Sequence, residues 1–216
     1  MNRRSLPIAT ALTATAALLL TACGSGGGKT EANDKIAGVE QSASPSASPS
    51  PSADTAGRPK ITLPADFKNT FEGWTTGDTT KDALLSDISN AINSVDATIA
   101  SNEAESPAIP FYHQRDALIS TTEWIQKFKN KDLTITGATR YHSPKIQMFG
   151  DAAAGVTYCA DESKAFSKER KTGTVKRTPA TNNSYVTYSI RVDKNQQDVW
   201  QTTQITSKRG DKTCTP

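Results

Sequence analysis

The stretch SYVTYSIRV, Ser184–Val192, decides the fold class of this chain. Val186, Tyr188, Ile190 and Val192 alternate with polar residues at positions 187, 189 and 191. In an extended chain, this alternation with period two places all four apolar side chains on one face. We therefore predict a β-strand that turns one face toward a hydrophobic core and the other toward solvent.

Four other segments downstream of Lys131 share this strand-like composition. They are predicted as strands over residues 133–142, 145–150, 152–160 and 198–207. The six polar residues 193–198, between the last two strands, suit a hairpin. Because strands joined by a hairpin are antiparallel, the second half of the chain predicts an antiparallel sheet.

Two helical segments precede these strands. The first is predicted to begin with Thr79 as its N-cap and Asp82 three residues later. Its apolar residues recur at spacings of three and four: Leu84, Leu85, Ile88, Ile92, Val95 and Ile99. After a loop at 102–110, a second helix is predicted over His113–Lys129, and the aromatic residues of segment 64–74 are expected to cap the core. Helices followed by strands predict an α+β fold, with the N-terminal helices packed on a curved antiparallel sheet.

The N-terminus has the pattern of an export signal. Arg3 and Arg4 precede an apolar stretch, Leu6–Leu20, that is too short to span a bilayer comfortably. The next residues, LTAC at 20–23, resemble the lipobox of bacterial lipoproteins. The resemblance implies a signal peptide over residues 1–22 and a lipid (palmitate-type) anchor on Cys23, on the extracytoplasmic face of the cell membrane. The alternative is a secreted protein in which Cys23 is coincidental.

A Gly/Ser/Pro-rich segment, residues 23–59, follows the lipobox. Its repetitive part, SASPSASPSPSAD at 42–54, cannot bury enough apolar surface to offset the chain entropy of folding. We predict a disordered tether here, followed by one folded domain over residues 60–216. Loss of residues 1–22 lowers the formal net charge from +3 to about +1, which gives no electrostatic basis for binding nucleic acid.

The cysteine count fits an exported lipoprotein. The chain has three cysteines, and lipidation of Cys23 leaves Cys159 and Cys214 as a pair in an oxidising compartment. A disulfide between them closes a loop of 55 residues, for which the chain-entropy estimate is about 4 kcal/mol. The alternative is a catalytic Cys159 thiolate, but nothing in the sequence marks His113 or His142 as its base.

From residue 66 onward the chain resembles the NTF2-like (cystatin-type cone) domains of small actinobacterial lipoproteins. The segments that carry the resemblance are FEGWTTGDTTKDALLSDI (71–88), the aromatic second helix, GVTYCADES (155–163) and VWQTTQITSKRGDKTC (199–214). The resemblance implies a sheet curled around the helices, with a pocket at the open end of the cone. Because that superfamily contains both enzymes and non-catalytic members, the fold alone implies no function.

No catalytic, metal or cofactor motif stands out in the sequence. Gly-rich phosphate loops, HExxH, CxxC and calcium-loop patterns are absent, and the two histidines are 29 residues apart without a ligand cluster nearby. NTF2-like isomerases use an acidic base and a tyrosine. Asp116, Asp161, Tyr141 and Tyr188 are the right residue types, but no spacing maps them onto that pattern. We therefore predict no catalytic residue, no metal and no cofactor.

One basic run, KAFSKERKTGTVKR, is a candidate patch for anionic surfaces. Its cations are Lys164, Lys168, Arg170, Lys171, Lys176 and Arg177. Such a run suits anionic lipid headgroups or acidic wall polymers. The alternative is that these lysines protect exposed strand edges from aggregation.

Taken together, the sequence predicts a lipid-anchored module that binds a ligand, an envelope polymer or an envelope protein without catalysing a reaction. The alternative function is an isomerase- or hydratase-type enzyme that uses the pocket of the cone.

Overall fold

The computed structural model describes residues 57–101, 103 and 106–216. The expected signal peptide, Cys23 and the tether up to residue 56 lie outside these residues. The elements in chain order are β1 (Phe67–Glu72), α1 (Thr79–Ala100), α2 (Ala108–Tyr112), α3 (Arg115–Lys129), β2 (Leu133–Met148), β3 (Ala153–Glu169), β4 (Val175–Lys176), a short 3-10 turn (Asn182–Ser184), β5 (Tyr185–Lys194) and β6 (Trp200–Arg209).

The strands form one six-stranded sheet in the order β1-β2-β3-β5-β6, with the short β4 paired to β3. Strands β2 to β6 pair antiparallel, as expected. β1 was not predicted, and it pairs parallel to β2, with Phe67 opposite Gly137 and Phe71 opposite Tyr141. The helical layer α1–α3 supplies the long crossover that a parallel pair needs. The α+β class is thus confirmed, whereas the expectation of a purely antiparallel sheet is wrong at this edge.

Two strands are longer than the sequence indicated. The predicted strands 133–142 and 145–150 are one strand, β2, whose pairing with β3 shifts register between His142 and Lys145 and again between Ala138 and Arg140. Irregularities of this kind bend and twist a strand without ending it. β3 continues to Glu169, so the first part of the basic run lies within the sheet.

The first helix has the predicted extent but a different cap. Asp78, not Thr79, is the N-cap, and its Oδ1 accepts hydrogen bonds from the backbone N–H groups of Thr80 and Lys81, each at 3.0 Å. The carboxylate of Asp82 instead accepts from the N–H groups of residues 76 and 77 before the helix. A capping aspartate satisfies N–H groups that have no partner within the helix.

The second predicted helix is shorter than expected, and an unexpected turn of helix precedes it. α3 begins at Arg115, and His113 lies between it and α2. α2 falls within the segment that was predicted as a loop. Gln114 explains the break, because its N–H bonds to the carbonyl of Thr202 in β6 and not to a helical carbonyl.

The apolar core lies between the helices and the sheet. The largest cluster surrounds the fully buried Trp200 and joins the start of α1 to β3, β5 and β6. A second cluster joins the end of α1 to α3 and to residues Phe67 and Ile135 of β1 and β2. We call the first the packed half and the second, together with the cavity described below, the hollow half; residues of the first cluster such as Ile88 and Tyr158 line part of that cavity.

The predicted disulfide is present and joins two parts of this core. Cys159 in β3 is bonded to Cys214 beyond β6, with their Cα atoms 5.4 Å apart. Both cysteines are buried. The bridge therefore fixes the C-terminal segment against the sheet, and Cys159 has no free thiol with which to act as a nucleophile.

Within the residues that the structure describes, no helix combines the length and the apolar character needed to cross a membrane.

Candidate functional site

A cavity of about 540 Å³ separates the helices from the sheet in the hollow half. One wall is the face of α1 that carries Ile88, Ile92, Val95 and Ile99. Side chains of β2, β3, β5 and β6 form the opposite wall, and α3 closes one side. Most of this lining is apolar, which suits the hydrocarbon part of a small molecule.

The mouth of the cavity is marked by its exposed lining residues. They are Ser120, Glu123, Trp124 and Lys127 of α3 and Thr206, Ser207 and Arg209 of β6. Trp124 is 44% exposed and makes an edge-to-face contact with Phe128, with 5.2 Å between the ring centroids. A large aromatic side chain in this position offers an apolar surface at the entrance.

Asp96 of α1 places a carboxyl group in this largely apolar cavity. Its Oδ2 accepts a hydrogen bond of 2.7 Å from Nδ2 of Asn69 in β1. Burial raises the pKa of Asp96 to about 7, and the negative charge of Glu162 acts in the same direction, while the bond from Asn69 opposes them. Asp96 is therefore a carboxyl group that exchanges a proton near neutral pH.

Asn69 links β1 to this helix through its amide group. Its Nδ2 donates to Oδ1 of Asn93 at 3.0 Å as well as to Asp96. Its own Oδ1 is buried and has no hydrogen-bond partner in the described part of the chain. The amide thus uses only its donor side, and it does so to hold one oxygen of Asp96.

Three tyrosines from adjacent strands line the sheet wall near Asp96. They are Tyr141 of β2, Tyr158 of β3 and Tyr188 of β5. Burial raises the pKa of each hydroxyl, and the charge of Asp96 adds to the effect on Tyr141 and Tyr158. The rings of Tyr158 and Tyr188 stack with centroids 5.2 Å apart. These hydroxyls stay protonated at neutral pH and can donate or accept hydrogen bonds.

An ion pair lies beside the tyrosines. Nη1 of Arg209 is 2.7 Å from Oε2 of Glu162, and both residues line the cavity. Glu162 also raises the pKa of Tyr188 through its charge and a hydrogen bond. Because the two charges compensate each other, Arg209 does not act as a free cation toward Asp96.

The two histidines are far from equivalent. His113 lines the cavity, and burial lowers its pKa to about 4, so that it is neutral at pH 7. Its Nδ1 lies 3.2 Å from the carbonyl oxygen of Ile109, which suits a donating N–H. His142 is less buried, and its Nδ1 is 3.0 Å from Oγ of Ser143. Among the described residues, no three His, Cys, Asp or Glu side chains gather as a metal site.

The structure brings only some of the acids and tyrosines singled out in the sequence into the cavity. Tyr141 and Tyr188 line the cavity. Asp116 is exposed on α3, and Asp161 pairs with Arg140, with Oδ2 of Asp161 3.3 Å from Nη2 of the arginine. Asp96, the acid that does lie in the cavity, was missed, although its spacing of four from Ile92 already placed it on the apolar face of α1.

The basic run is split by the fold. Three of its lysines form ion pairs: Lys168 with Asp66, Lys171 with Asp132 and Lys176 with Glu169. Arg170 donates to the carbonyl oxygens of Ile99 and Ala100 at the end of α1, and Arg177 lies over the ring of Phe166, 5.2 Å from its centroid. Lys164 is exposed on β3. Most of the run therefore has a partner within the domain.

Comparison with known proteins adds little to this description. No protein-family model and no curated protein matches the chain. Among solved structures, it is similar to the intermembrane space region of the chloroplast protein ARC6, with a TM-score of 0.41 and 8% sequence identity. The similarity covers 57% of this chain and 92% of that one. Similarity at this level carries no argument about function.

Proposed function

We propose that this domain binds a small amphipathic molecule in its cavity while lipidated Cys23 holds it at the extracytoplasmic face of the membrane. The observation that carries the binding proposal is a cavity of about 540 Å³ with an aliphatic wall on α1, aromatic side chains on the sheet and the carboxyl of Asp96 inside it. Ligand cavities have volumes of roughly 300–1,000 Å³ and few polar groups among apolar walls. The lipobox resemblance supports the anchor, and helices packed against a sheet around a cavity are what an NTF2-like cone implies.

Filling the cavity tests the binding proposal. Val95→Trp places a bulky ring on the α1 wall, and we expect it to weaken binding of an apolar fluorescent reporter about tenfold or more. Ile119→Trp is the matched control, because Ile119 is 61% exposed and does not line the cavity. Equal reporter binding by the two variants, both shown to be folded by circular dichroism, would contradict the proposal.

The anchor has a separate test in cells. With Cys23→Ser, the protein is expected in the soluble fraction, because a serine hydroxyl is a far weaker nucleophile than a cysteine thiol and does not take up the lipid of a lipoprotein. Retention of the variant in the membrane fraction, with the unaltered protein as reference, would overturn the anchor and leave the cavity proposal untouched.

Contact with anionic lipid or wall polymers stays a prediction of the basic run. Among its cations, Lys164, Arg170 and Arg177 have no carboxylate partner in the described part of the chain, and Arg170 is held by backbone carbonyls at the end of α1. We expect the double variant Lys164→Glu with Arg177→Glu to lose sedimentation with anionic vesicles or wall preparations. Unchanged sedimentation would leave protection of the sheet edge as the role of the run.

An enzyme is the second candidate, and Asp96 is the observation that favours it. A carboxyl group with a pKa of about 7 suits proton transfer at neutral pH, and Tyr141 places a protonated hydroxyl in the same cavity. If this candidate is right, the protein exchanges the α-protons of cyclic ketones in deuterated water, and Asp96→Asn abolishes the exchange. Absence of exchange with ketones that do bind would favour the binding module.

A further inference from the structure

We infer that the ligand of this cavity is an organic cation, with an ammonium group beside Asp96 and an apolar body along α1. The inference rests on the proposed binding function and names the chemical class of the ligand. It depends on three features of the described residues: the carboxyl in the cavity, the absence of a protein cation beside it, and the tyrosines on the opposite wall.

The carboxyl of Asp96 lacks the partner that a buried carboxylate usually has. Within the described residues, no lysine, arginine or histidine lies within ion-pair distance of Asp96, whose hydrogen bond comes from the neutral amide of Asn69. Buried charges in proteins are normally paired with an opposite charge or a metal ion. The cavity thus holds a carboxyl group for which the described residues supply no neutralising cation.

The nearest charges of the protein do not fill this role. Arg209 is held by Glu162 at 2.7 Å, and that glutamate adds negative charge near Asp96. Lys127 is exposed on α3, at the mouth of the cavity. His113 is neutral, because burial lowers its pKa to about 4. The described residues therefore place no positive charge beside Asp96, and a cationic ligand would supply one.

The walls of the cavity suit the rest of such a ligand. The hydroxyl oxygens of Tyr141, Tyr158 and Tyr188 can accept hydrogen bonds from an ammonium group, and electron-rich rings attract cations. The aliphatic face of α1 and the aromatic rim at Trp124 match an apolar chain. An anionic ligand fits poorly, because its charge would lie beside the carboxyl of Asp96, for which the described residues supply no cation.

The proton on Asp96 makes the inference measurable. The titratable and charged groups that surround it are Tyr141, Tyr158, Glu162, Tyr188, Arg209, His113, Glu123 and Lys127. Because the pKa of Asp96 is about 7, about half of these carboxyls carry a proton at pH 7. A bound cation favours the ionised form, so its binding releases about half a proton per ligand at that pH.

The experiment compares octylamine, which is protonated at neutral pH, with 1-octanol, which has the same chain without the charge. By isothermal titration at about pH 8, we expect the amine to bind about tenfold tighter or more. Its affinity should fall as the pH is lowered to about 6, and titrations in buffers of different ionisation enthalpy should show the released proton.

Two variants test whether Asp96 causes the preference for the amine over the alcohol. Asp96→Asn should weaken amine binding about tenfold and leave octanol binding unchanged. Asp116→Asn, which removes the same charge from an exposed site on α3, should change neither. Because the pH dependence and the proton release are measured on the unaltered protein, the inference can be tested even if Asp96→Asn fails to fold.

Three results would overturn the inference. They are equal affinity for amine and alcohol, amine binding that strengthens as the pH falls, and amine binding that Asp96→Asn does not weaken. Octanol binding without preference for the amine would leave the cavity function standing and reject only the cation. Failure of both probes to bind would contradict the proposed function as well.

Discussion

Helix α1 carries two aspartates nine residues apart, the buried Asp87 and the half-buried Asp96, and their partners in the domain differ. Asp87 lies in the packed half, and its Oδ1 accepts a hydrogen bond of 2.7 Å from Nε of Arg58. Its Oδ2 accepts hydrogen bonds from Nη2 of Arg58 at 3.0 Å and from the backbone N–H of Trp200 at 2.9 Å. Asp96 lies in the hollow half, and among the described residues it accepts a hydrogen bond from the side-chain amide of Asn69 alone. The first carboxylate is neutralised within the domain, and the second is left facing a cavity.

We interpret Asp87 as a charge that stabilises the fold and Asp96 as part of the proposed binding site. Asp87 joins α1 to the start of β6 and to Arg58, a residue that the sequence had assigned to the tether. Folded contacts therefore begin before residue 60. Within the described part of the chain, Asp96 joins α1 to β1 through Asn69 and has no cation that would compensate its burial. A protein retains such a group at a cost in stability, which is typical of sites that bind or react.

The largest predicted effect comes from removing the carboxylate of Asp87. Asp87→Ala takes away the acceptor of Nε and Nη2 of Arg58 and of the buried backbone N–H of Trp200, and we expect a loss of about 3–5 kcal/mol in the free energy of unfolding. Urea denaturation measures this loss, with Asp116→Ala, an exposed aspartate, as control. A loss no larger than that of the control would show that the two aspartates of α1 do not differ as described.

The next effect has the opposite sign and concerns Asp96. Its pKa is raised from 3.8 to about 7, so the folded state holds a proton that the unfolded state has already released above about pH 4. Stability therefore falls as the pH rises from about 4 to about 7, by up to about 4 kcal/mol for a shift of this size. Asp96→Asn should remove this decline and be the more stable protein at about pH 8.

The measurement is the difference in free energy of unfolding between the two proteins across this pH range. Subtraction removes the contribution of His113, whose lowered pKa makes stability rise between about pH 4 and pH 6.5. Asp116→Asn serves as the control for a lost surface charge. If Asp96→Asn were less stable than the unaltered protein at pH 8, Asp96 would be a structural residue like Asp87.

The last prediction compares truncation of a side chain away from the cavity with truncation of one that lines it, and the second loss is the smallest expected. Leu84→Ala removes a fully buried side chain from the packed half and should cost about 2–5 kcal/mol. Ile92→Ala enlarges a cavity that already exists, and a loss nearer 1 kcal/mol is expected. Thermal unfolding of both variants measures the contrast, and equal losses would indicate that the hollow half is packed as tightly as the other.

The local parts of this fold were predictable from the sequence. The spacing of apolar residues gave α1 its bounds, and the alternation in segment 184–192 gave β5. β1 was missed because its inward positions are Phe67, Asn69 and Phe71, and the central asparagine interrupts the apolar alternation. Its parallel pairing could not be read either, since Phe67 pairs with Gly137, 70 residues away.

By itself, the sequence was enough to predict the α+β class from residue periodicity, and to predict the pairing of Cys159 with Cys214 once Cys23 was assigned to the expected lipid anchor. Only the tertiary structure decided that Asp87 pairs with an arginine and that Asp96 lines a cavity. A spacing of nine residues is about two and a half turns of helix, so the two carboxyls lie on opposite flanks of the apolar stripe of α1 and face different neighbours. What separates them is the set of groups that distant segments bring close to each, Arg58 and Trp200 for one and Asn69 and Glu162 for the other.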